Sequence, residues 1–152
     1  RRSGEWVKWK QPYATLDVVI TAAEQGHGKR ATVLSDYTFA VRAGDEFLNV
    51  GKAYSGLTDE EIRELTRLLR ASVIGRYGPV LAVRPEIVLE VAFDGIQKST
   101  RHKSGYAIRF PRIVRWRRDK TPADIDTLDR VKELYEASTA PLRNYAPPSP
   151  GT

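Results

Sequence analysis

The change of hydrophobic period near Leu57 constrains the fold of this chain more than any other sequence feature. Before it lie three strand-like segments separated by glycine-containing turns, at 16–23, 31–42 and 46–54. After it, Thr58 and Glu61 have the spacing of a helix capping box. Apolar residues then repeat along one helical face: Ile62, Leu65, Leu68 and Leu69. The sequence therefore predicts a three-stranded meander followed by one amphipathic helix.

Two further strand-like segments follow this helix. The fourth strand joins 80–83 to 87–93, and we expect it to bend at Arg84-Pro85, because proline cannot donate to a sheet ladder. The fifth strand is predicted to run from Gly105 to Val114. Within the third strand, Gly51 predicts a bulge or a close approach of another backbone.

Five strands with a helix between the third and the fourth is the order of an OB-fold, a partly open Greek-key barrel. We therefore predict an all-β fold with added helices, in which a five-stranded OB-fold Greek-key barrel carries a helix between strands 3 and 4. A C-terminal helix is predicted to begin at Thr121–Asp124 and to reach about Tyr135. The rival SH3-like barrel would lack the helix after the third strand. From Ser138 the sequence is proline-rich, which predicts a flexible tail over 138–152.

Basic charge is concentrated in one stretch, 98–120, which holds nine Lys or Arg against one acid in a chain of net charge +6. Three aromatic residues, Tyr106, Phe110 and Trp116, lie among these charges. Such a composition is typical of a surface that meets phosphates and bases. The alternative for the whole stretch is a solvated strand with a charged face. The alternative for Phe110 and Trp116 is that their rings are ordinary core residues.

Composition also excludes several classes of protein and site. The chain has no cysteine, so disulfides and thiolate metal sites are ruled out, and its two histidines are far apart in sequence, so we expect no metal site. There is no apolar run of the roughly 20 residues that a membrane span needs. We expect a cytoplasmic protein without a membrane partner. Because the sequence begins at Arg1 and contains no methionine, we also expect it to be a piece of something longer.

Three segments resemble motifs of the C-terminal oligonucleotide-binding domain of ATP-dependent DNA ligases. Trp6–Lys10 is similar to the W-x-K-x-K of motif V, which ends the adenylation domain of that family. Ile108–Arg112 is similar to the R-F-P-R block, and Arg117–Lys120 to the R-x-D-K of motif VI. The resemblance runs from Glu5 to about Tyr135 and is closest to bacterial repair ligases. It implies that 1–12 end an adenylation domain and that 13–137 form the OB-fold domain.

The resemblance implies a part in sealing nicked double-stranded DNA with ATP and Mg²⁺, in three steps that begin with enzyme adenylation. The family carries AMP on the lysine of a K-x-D-G motif, and the nearest string here, Ala92–Gly95, has alanine in that place. We therefore expect the chain alone to be inactive and to hold neither ATP nor Mg²⁺. Its expected partners are nicked duplex DNA and the adenylation domain of the same parent chain, in a bacterial cytoplasm and associated with the nucleoid.

By resemblance, five residues are assigned to the nucleotide chemistry. Lys8 and Lys10 would contact the AMP α-phosphate. Arg117 and Lys120 would orient the departing pyrophosphate, and Asp119 would orient these basic neighbours. That role would be excluded if Arg117 and Lys120 were held in internal ion pairs and out of reach of any cleft.

A second group is assigned to DNA. The resemblance puts Arg109 and Phe110 in the minor groove near the nick, as a cation beside an apolar wedge. Backbone phosphates would be contacted by Lys98, Arg101 and Lys103, while Arg112 serves either motif or only solubilises a strand. Two other functions stay open: a free-standing OB-fold module that binds DNA without catalysis, and the OB domain of an RNA ligase or capping nucleotidyltransferase.

Overall fold

The computed structural model describes residues 14–26, 32–54 and 56–144. Within them the chain forms nine strands, two α-helices and one short 3-10 helix. The strands are β1 Ala14–Gln25, β2 Leu34–Ala43, β3 Glu46–Ala53, β4 Val73–Tyr77, β5 Val80–Val83, β6 Val88–Phe93, β7 Gly95–Lys98, β8 Tyr106–Arg109 and β9 Arg112–Trp116. The helices are α1 Asp59–Arg70, the 3-10 helix Pro122–Asp124 and α2 Leu128–Asn144.

Strand β1 is the centre of the main antiparallel sheet, whose order is β9-β6-β1-β2-β3. Its long span lets it pair with β2 along one edge, and with β6 and then β5 along the other. The β4–β5 hairpin extends the sheet beyond β5, and β7 with β8 forms a separate two-stranded sheet. The main sheet curls into a half-barrel around one hydrophobic core.

Helix α1 closes one side of this core. Three residues of its predicted apolar stripe, Ile62, Leu65 and Leu69, are buried, while Leu68 is half-buried. Burying side chains of this size stabilises the fold by about 1.5–3 kcal/mol each. Thr66 also fixes the helix to β2, because its hydroxyl accepts a hydrogen bond from the Leu34 amide at 2.9 Å.

The predicted capping box is confirmed at the start of α1. The Thr58 hydroxyl accepts a hydrogen bond from the Glu61 amide at 3.1 Å, and the Glu61 carboxylate accepts one from the Thr58 amide at 2.9 Å. These two bonds satisfy amides that a helix start would otherwise leave unpaired.

The predicted bulge is confirmed beside Gly51 in β3, whereas the nearest atoms over this glycine belong to side chains and not to another backbone. The register with β2 shifts between Phe39 and Ala40, so a bulge lies beside this glycine. A side chain there would also meet Phe39 at 3.3 Å and Ile108 of β8 at 3.6 Å. The missing side chain therefore leaves room for the β7–β8 hairpin to lie over β3.

Gly56 permits a second close approach, between the loop before α1 and strand β9. Its φ is +114°, a region that favours glycine. A Cβ on this residue would lie 1.8 Å from the carbonyl oxygen of Ile113. The loop and the strand are thus in backbone contact.

The strand count differs from the prediction of five. The fourth predicted strand is two strands, β5 and β6, because the chain leaves the ladder at Arg84-Pro85. The fifth is β8 and β9, separated at Phe110-Pro111. Strands β4 and β7 were not predicted. In the sequence, Gly75 and Gly78 indicate the end of the helical section that begins with α1. In the structure they belong to the β4–β5 hairpin.

The second helix also differs in its limits. Thr121–Asp124 caps only the 3-10 helix, and α2 begins separately after Thr127, whose hydroxyl accepts from the Arg130 amide at 3.2 Å. Helix α2 continues past the predicted end near Tyr135 to Asn144. The predicted boundary at 137/138 therefore falls inside a helix. Residues 1–12, which were expected to end an adenylation domain, and residues 145–152 of the predicted tail lie outside the described residues.

No helix in the three described ranges has the length and apolar character needed to cross a bilayer.

Candidate nucleotide-binding and nucleic-acid-binding surfaces

The basic stretch 98–120 divides into two surfaces between Arg112 and Arg115. We call the first the tip surface, formed around the β7–β8 hairpin and the turn into β9. Its members are Asp94, Lys98, Arg101, Lys103, Arg109, Phe110 and Arg112. We call the second the paired cluster, formed on the outer face of β1, β6 and α1. Its members are Asp17, Glu64, Glu90, Arg115, Arg117, Arg118, Asp119 and Lys120.

The loop between β7 and β8 is held by its own hydrogen bonds. The Ser99 hydroxyl accepts from the amides of Arg101 at 3.1 Å and His102 at 3.4 Å. The Ser99 amide donates to the Gly105 carbonyl at 2.9 Å. Burial lowers the pKa of His102, with a smaller contribution from Arg101, so this imidazole adds little charge at neutral pH. The loop exposes Arg101 and Lys103.

Lys98 lies over two tyrosine rings at the base of this loop. Its ammonium is 5.4 Å from the centroid of Tyr106 and 5.6 Å from that of Tyr135 on α2. The two rings meet edge to face at 5.5 Å. Tyr106 is buried, so it supports Lys98 from the core instead of offering its ring to a base.

Phe110 is exposed, with 66% of its surface accessible, so the core alternative is wrong for this residue. It is also the one non-glycine residue with positive φ, +52°, within the described part of the chain. A side-chain-bearing residue adopts this conformation at a cost of about 1–3 kcal/mol, and keeps it only when its surroundings enforce it. The Arg109 guanidinium lies 5.6 Å from the Phe110 ring.

Asp94 and Arg112 hold the turn that carries Phe110. One Arg112 amino group donates to the Phe110 carbonyl and to the Asp94 carboxylate, both at 3.1 Å. The Asp94 amide donates to the Arg109 carbonyl at 3.0 Å. Asp94 was not among the site residues predicted from the sequence, although it lies in the segment 92–95 that was compared with K-x-D-G.

In the paired cluster, Arg117 is surrounded by carboxylates. Its guanidinium donates twice to Asp119, at 3.0 and 2.8 Å, and its third nitrogen lies 3.6 Å from Asp17 and 3.8 Å from Glu90. Lys120 donates to Asp17. The two cations are 23% and 30% exposed. Both cations are therefore held in ion pairs, although each keeps part of its surface exposed.

The neighbouring arginines are compensated in the same way. Arg118 donates twice to Glu64, at 2.9 and 2.7 Å, and its guanidinium lies 3.7 Å from the Trp116 ring. Arg115 lies 3.0 Å from Glu90. The paired cluster thus contains four cations and four carboxylates.

Two of these carboxylates are direct neighbours on the sheet. Asp17 of β1 and Glu90 of β6 are register partners, and their side chains are only 13% and 17% exposed. Like charges directly opposite each other destabilise a pair of strands. Arg117 offsets this repulsion because it reaches both carboxylates.

The pairing also shifts pKa values within the motif. The hydrogen bond from Arg117 lowers the pKa of Asp119 to about 2. The hydrogen bond to Asp119 raises the pKa of Arg117, and the hydrogen bond to Asp17 raises the pKa of Lys120. All three side chains are therefore charged at neutral pH.

Lys8 and Lys10 lie outside the described residues, so their predicted contacts remain predictions. Among the residues that are described, no three His, Cys, Asp or Glu side chains are grouped so that they could hold a metal ion.

Comparison with known proteins identifies the relatives of this chain. Residues 30–120 match the family model described as the ATP dependent DNA ligase C terminal region. A probable DNA ligase of Koribacter versatilis is 58% identical over 137 residues, which is 90% of this chain and 24% of that protein. A DNA ligase 1 of the archaeon Korarchaeum cryptofilum is 49% identical over 89% of this chain and 25% of that protein. The chain thus spans about a quarter of the length of these relatives.

Solved structures confirm the fold class. The ligase domain of Mycobacterium tuberculosis LigD superimposes with a TM-score of 0.62 at 18% identity, over 74% of this chain and 38% of that one. A mycobacterial DNA ligase D complexed with ATP and MES gives 0.59 at 17% identity, over 77% and 38%. The described residues accordingly form an OB-fold with added helices.

Proposed function

The chain belongs to the ATP-dependent DNA ligase C-terminal family, and we propose that it is the OB-fold domain that clamps nicked duplex DNA and takes part in enzyme adenylation. The observation that carries the DNA half of this proposal is Phe110, an exposed ring held at positive φ between cations. A soluble domain has no structural need for that arrangement, because the ring buries little surface and its backbone is strained.

The tip surface supports DNA binding by its charge and its shape. Lys98, Arg101 and Arg109 have no carboxylate partner among the residues that the structure describes. Such cations release counterions from a phosphate backbone and give salt-dependent affinity with little sequence preference. Phe110 would enter the minor groove at the nick, where a broken backbone makes local unstacking easier. The domain would then recognise the break by shape.

The proposed part in adenylation rests on the match to motif VI and on the partial exposure of the Arg117 and Lys120 side chains. In-line attack at phosphorus is accelerated mainly by positioning and by cations that neutralise oxygen charge. Arg117 and Lys120 supply such cations, with Asp119 orienting them and Lys8 and Lys10 completing the set. Their carboxylate partners mean that phosphate oxygens must replace Asp119 or Asp17 before either cation can hold a pyrophosphate.

ATP is the proposed nucleotide, because the family is ATP-dependent. Mg²⁺ is proposed to arrive with the ATP phosphates. The nucleophilic lysine would come from an adenylation domain of the same parent protein, and the whole enzyme would act on nicked duplex DNA in the cytoplasm, associated with the nucleoid. Because this chain carries no K-x-D-G motif, we propose that it does not seal nicks by itself.

A free-standing DNA-binding module is the second candidate function. The observation that favours it is the charge balance of the paired cluster, which offers no excess positive charge to a triphosphate. The motif match favours the ligase domain, since a simple binder has no use for R-x-D-K at this position.

Binding to a nicked duplex tests the proposal. We expect a dissociation constant of about 10⁻⁴–10⁻⁶ M that weakens steeply with salt, and a loss of about tenfold for Phe110→Ala, or ~1.4 kcal/mol. The matched control is Tyr77→Ala, because Tyr77 is an aromatic residue of similar exposure, 70%, on the β4–β5 hairpin. Equal losses for both variants, or none for Phe110→Ala, would reject the tip surface as the DNA-binding face.

A further inference from the structure

We infer that Asp94 is a positioning residue that presents Phe110 to the nick. The inference rests on the proposed function, because it assumes that the exposed ring meets DNA. Asp94 lies at the junction of β6 and β7, outside the motifs that resemble those of the ligases. Its role would be to hold the turn between β8 and β9 in one conformation before DNA arrives.

Asp94 controls both peptide units that flank Phe110. Its backbone amide donates to the Arg109 carbonyl, which belongs to the peptide unit before Phe110. Its carboxylate accepts from Arg112, and the same Arg112 nitrogen donates to the Phe110 carbonyl, in the peptide unit after it. The φ and ψ angles of Phe110 are therefore restrained from both sides. The peptide unit before it is hydrogen-bonded to Asp94 directly, and the one after it is linked to Asp94 through Arg112.

This restraint is needed because the local sequence opposes the conformation. Phenylalanine has a Cβ and disfavours positive φ. Pro111 follows, and a residue before proline is biased towards extended backbone at negative φ. Proline also has no amide hydrogen, so the turn cannot be held by a hydrogen bond from that position. The hydrogen bonds that hold Phe110 must come from elsewhere, and Asp94 and Arg112 provide them.

Because the Asp94–Arg112 pair is exposed, its effect on the orientation of the Phe110 ring can be separated from its effect on the stability of the fold. The Arg112 and Asp94 side chains are 38% and 51% exposed, and ion pairs this accessible contribute little to folding. Removal of the carboxylate should therefore leave the domain folded but release the turn towards negative φ. Phe110 would then point in several directions, and its insertion at a nick would become less complete.

The test uses the whole chain and a nicked duplex that carries 2-aminopurine beside the nick, since this base fluoresces more strongly when it is unstacked. Fluorescence is read at saturating protein, so that the amplitude reports insertion and not affinity. Asp94→Ala is expected to lower the amplitude to less than roughly half of wild type, and Asp94→Asn, which keeps an acceptor for Arg112, should lower it less. The control is Glu86→Ala, which removes an exposed arginine–carboxylate pair of the same length, 3.1 Å, before the start of β6, whereas Asp94 follows the end of that strand.

The outcomes distinguish a failure of the positioning role of Asp94 from a failure of the proposed DNA-binding face. A wild-type amplitude for Asp94→Ala overturns the positioning role, provided that Phe110→Ala abolishes the signal. If Phe110→Ala leaves the signal unchanged, the proposed DNA-binding face itself is wrong. Circular dichroism checks the fold, and should Asp94→Ala fail to fold, Asp94→Asn decides: a reduced amplitude supports the role and an unchanged one contradicts it.

Discussion

The tip surface and the paired cluster come from one continuous basic stretch, yet their charges are compensated to opposite extents. In the paired cluster each of four cations has a carboxylate within 3.0 Å. On the tip surface Lys98, Arg101 and Arg109 have no such partner among the described residues, and Lys103 reaches Glu46 only at 3.5 Å in an exposed pair. The density of basic residues in a sequence therefore does not measure the positive charge that a surface offers.

This difference separates the two proposed tasks. The tip surface can attract a phosphate backbone without rearrangement, because Lys98, Arg101 and Arg109 have no carboxylate partner among the described residues and its wedge is preformed. The paired cluster must exchange partners before it can hold a pyrophosphate. We infer that this domain by itself is arranged for DNA, and that ATP contacts require the adenylation domain.

The largest expected effect concerns adenylation, and its absence would contradict the assignment of the paired cluster to the nucleotide chemistry. An adenylation domain from one of the ligase relatives, mixed with this chain and ATP, should form more enzyme–AMP than it does alone. Arg117→Ala and Lys120→Ala should each reduce that gain by about 100-fold, the scale of losing one charge-stabilising group. Labelled ATP measures the product. Arg109→Ala is the matched control and should behave as wild type; if all three variants match wild type, the paired cluster has no part in adenylation.

DNA affinity should show the reverse pattern. Arg101→Ala is expected to weaken binding to a nicked duplex by about tenfold at low salt and to reduce the salt slope by about 1, because one proposed phosphate contact is lost. Arg118→Ala should change neither quantity, since its charge is already neutralised by Glu64. Fluorescence anisotropy across a salt series measures both. Equal slopes for the two variants would contradict the distinction between the surfaces.

Thermal stability should depend more on the paired cluster than on the tip surface. Asp17→Ala removes the shared partner of Arg117 and Lys120, at a side chain that is only 13% exposed. We expect the Tm to fall by about 5 °C, while Asp94→Ala changes it by less than about 2 °C. Differential scanning calorimetry of both variants checks this. A larger fall for Asp94→Ala would reverse the comparison.

The smallest expected effect is the acid dependence of the Arg117–Asp119 pair. The folded-state pKa of Asp119, about 2, lies below its ordinary value of 3.8. The stabilising contribution is therefore complete above about pH 4 and is lost as the pH falls towards about 2. The Tm difference between wild type and Asp119→Asn should shrink over that interval. A constant difference would mean that the pair does not contribute to stability.

Much of the fold could be predicted from local signals. The capping box at Thr58, the buried face of α1 and the bulge at Gly51 depend on residues near one another in sequence or on one backbone property. The same holds for the meander β1–β3, which follows from alternation and turns. The β4–β5 hairpin was missed because Gly78, which takes φ +63° in its tight turn, is also a typical helix-end signal.

The candidate surfaces were predicted less well, for a different physical reason. Apart from Asp119, the carboxylates of the paired cluster are far in sequence from the cations they contact: Asp17 is 103 residues from Lys120, and Glu64 is 54 from Arg118. No local pattern predicts such pairing. The break at Phe110 was missed as well, because its positive φ is imposed by Asp94 and Arg112 and contradicts the residue's own preference.

Gly56 makes the two surfaces mechanically dependent on each other. Its backbone lies against Ile113 in β9, and that short strand connects the Phe110 turn to the R-x-D-K segment. Even one methyl group at this position would push β9 outwards and displace both of its ends together. We therefore expect the domain to move as one rigid body between its two proposed tasks. Which task it performs would then depend on the segment that links it to the proposed adenylation domain.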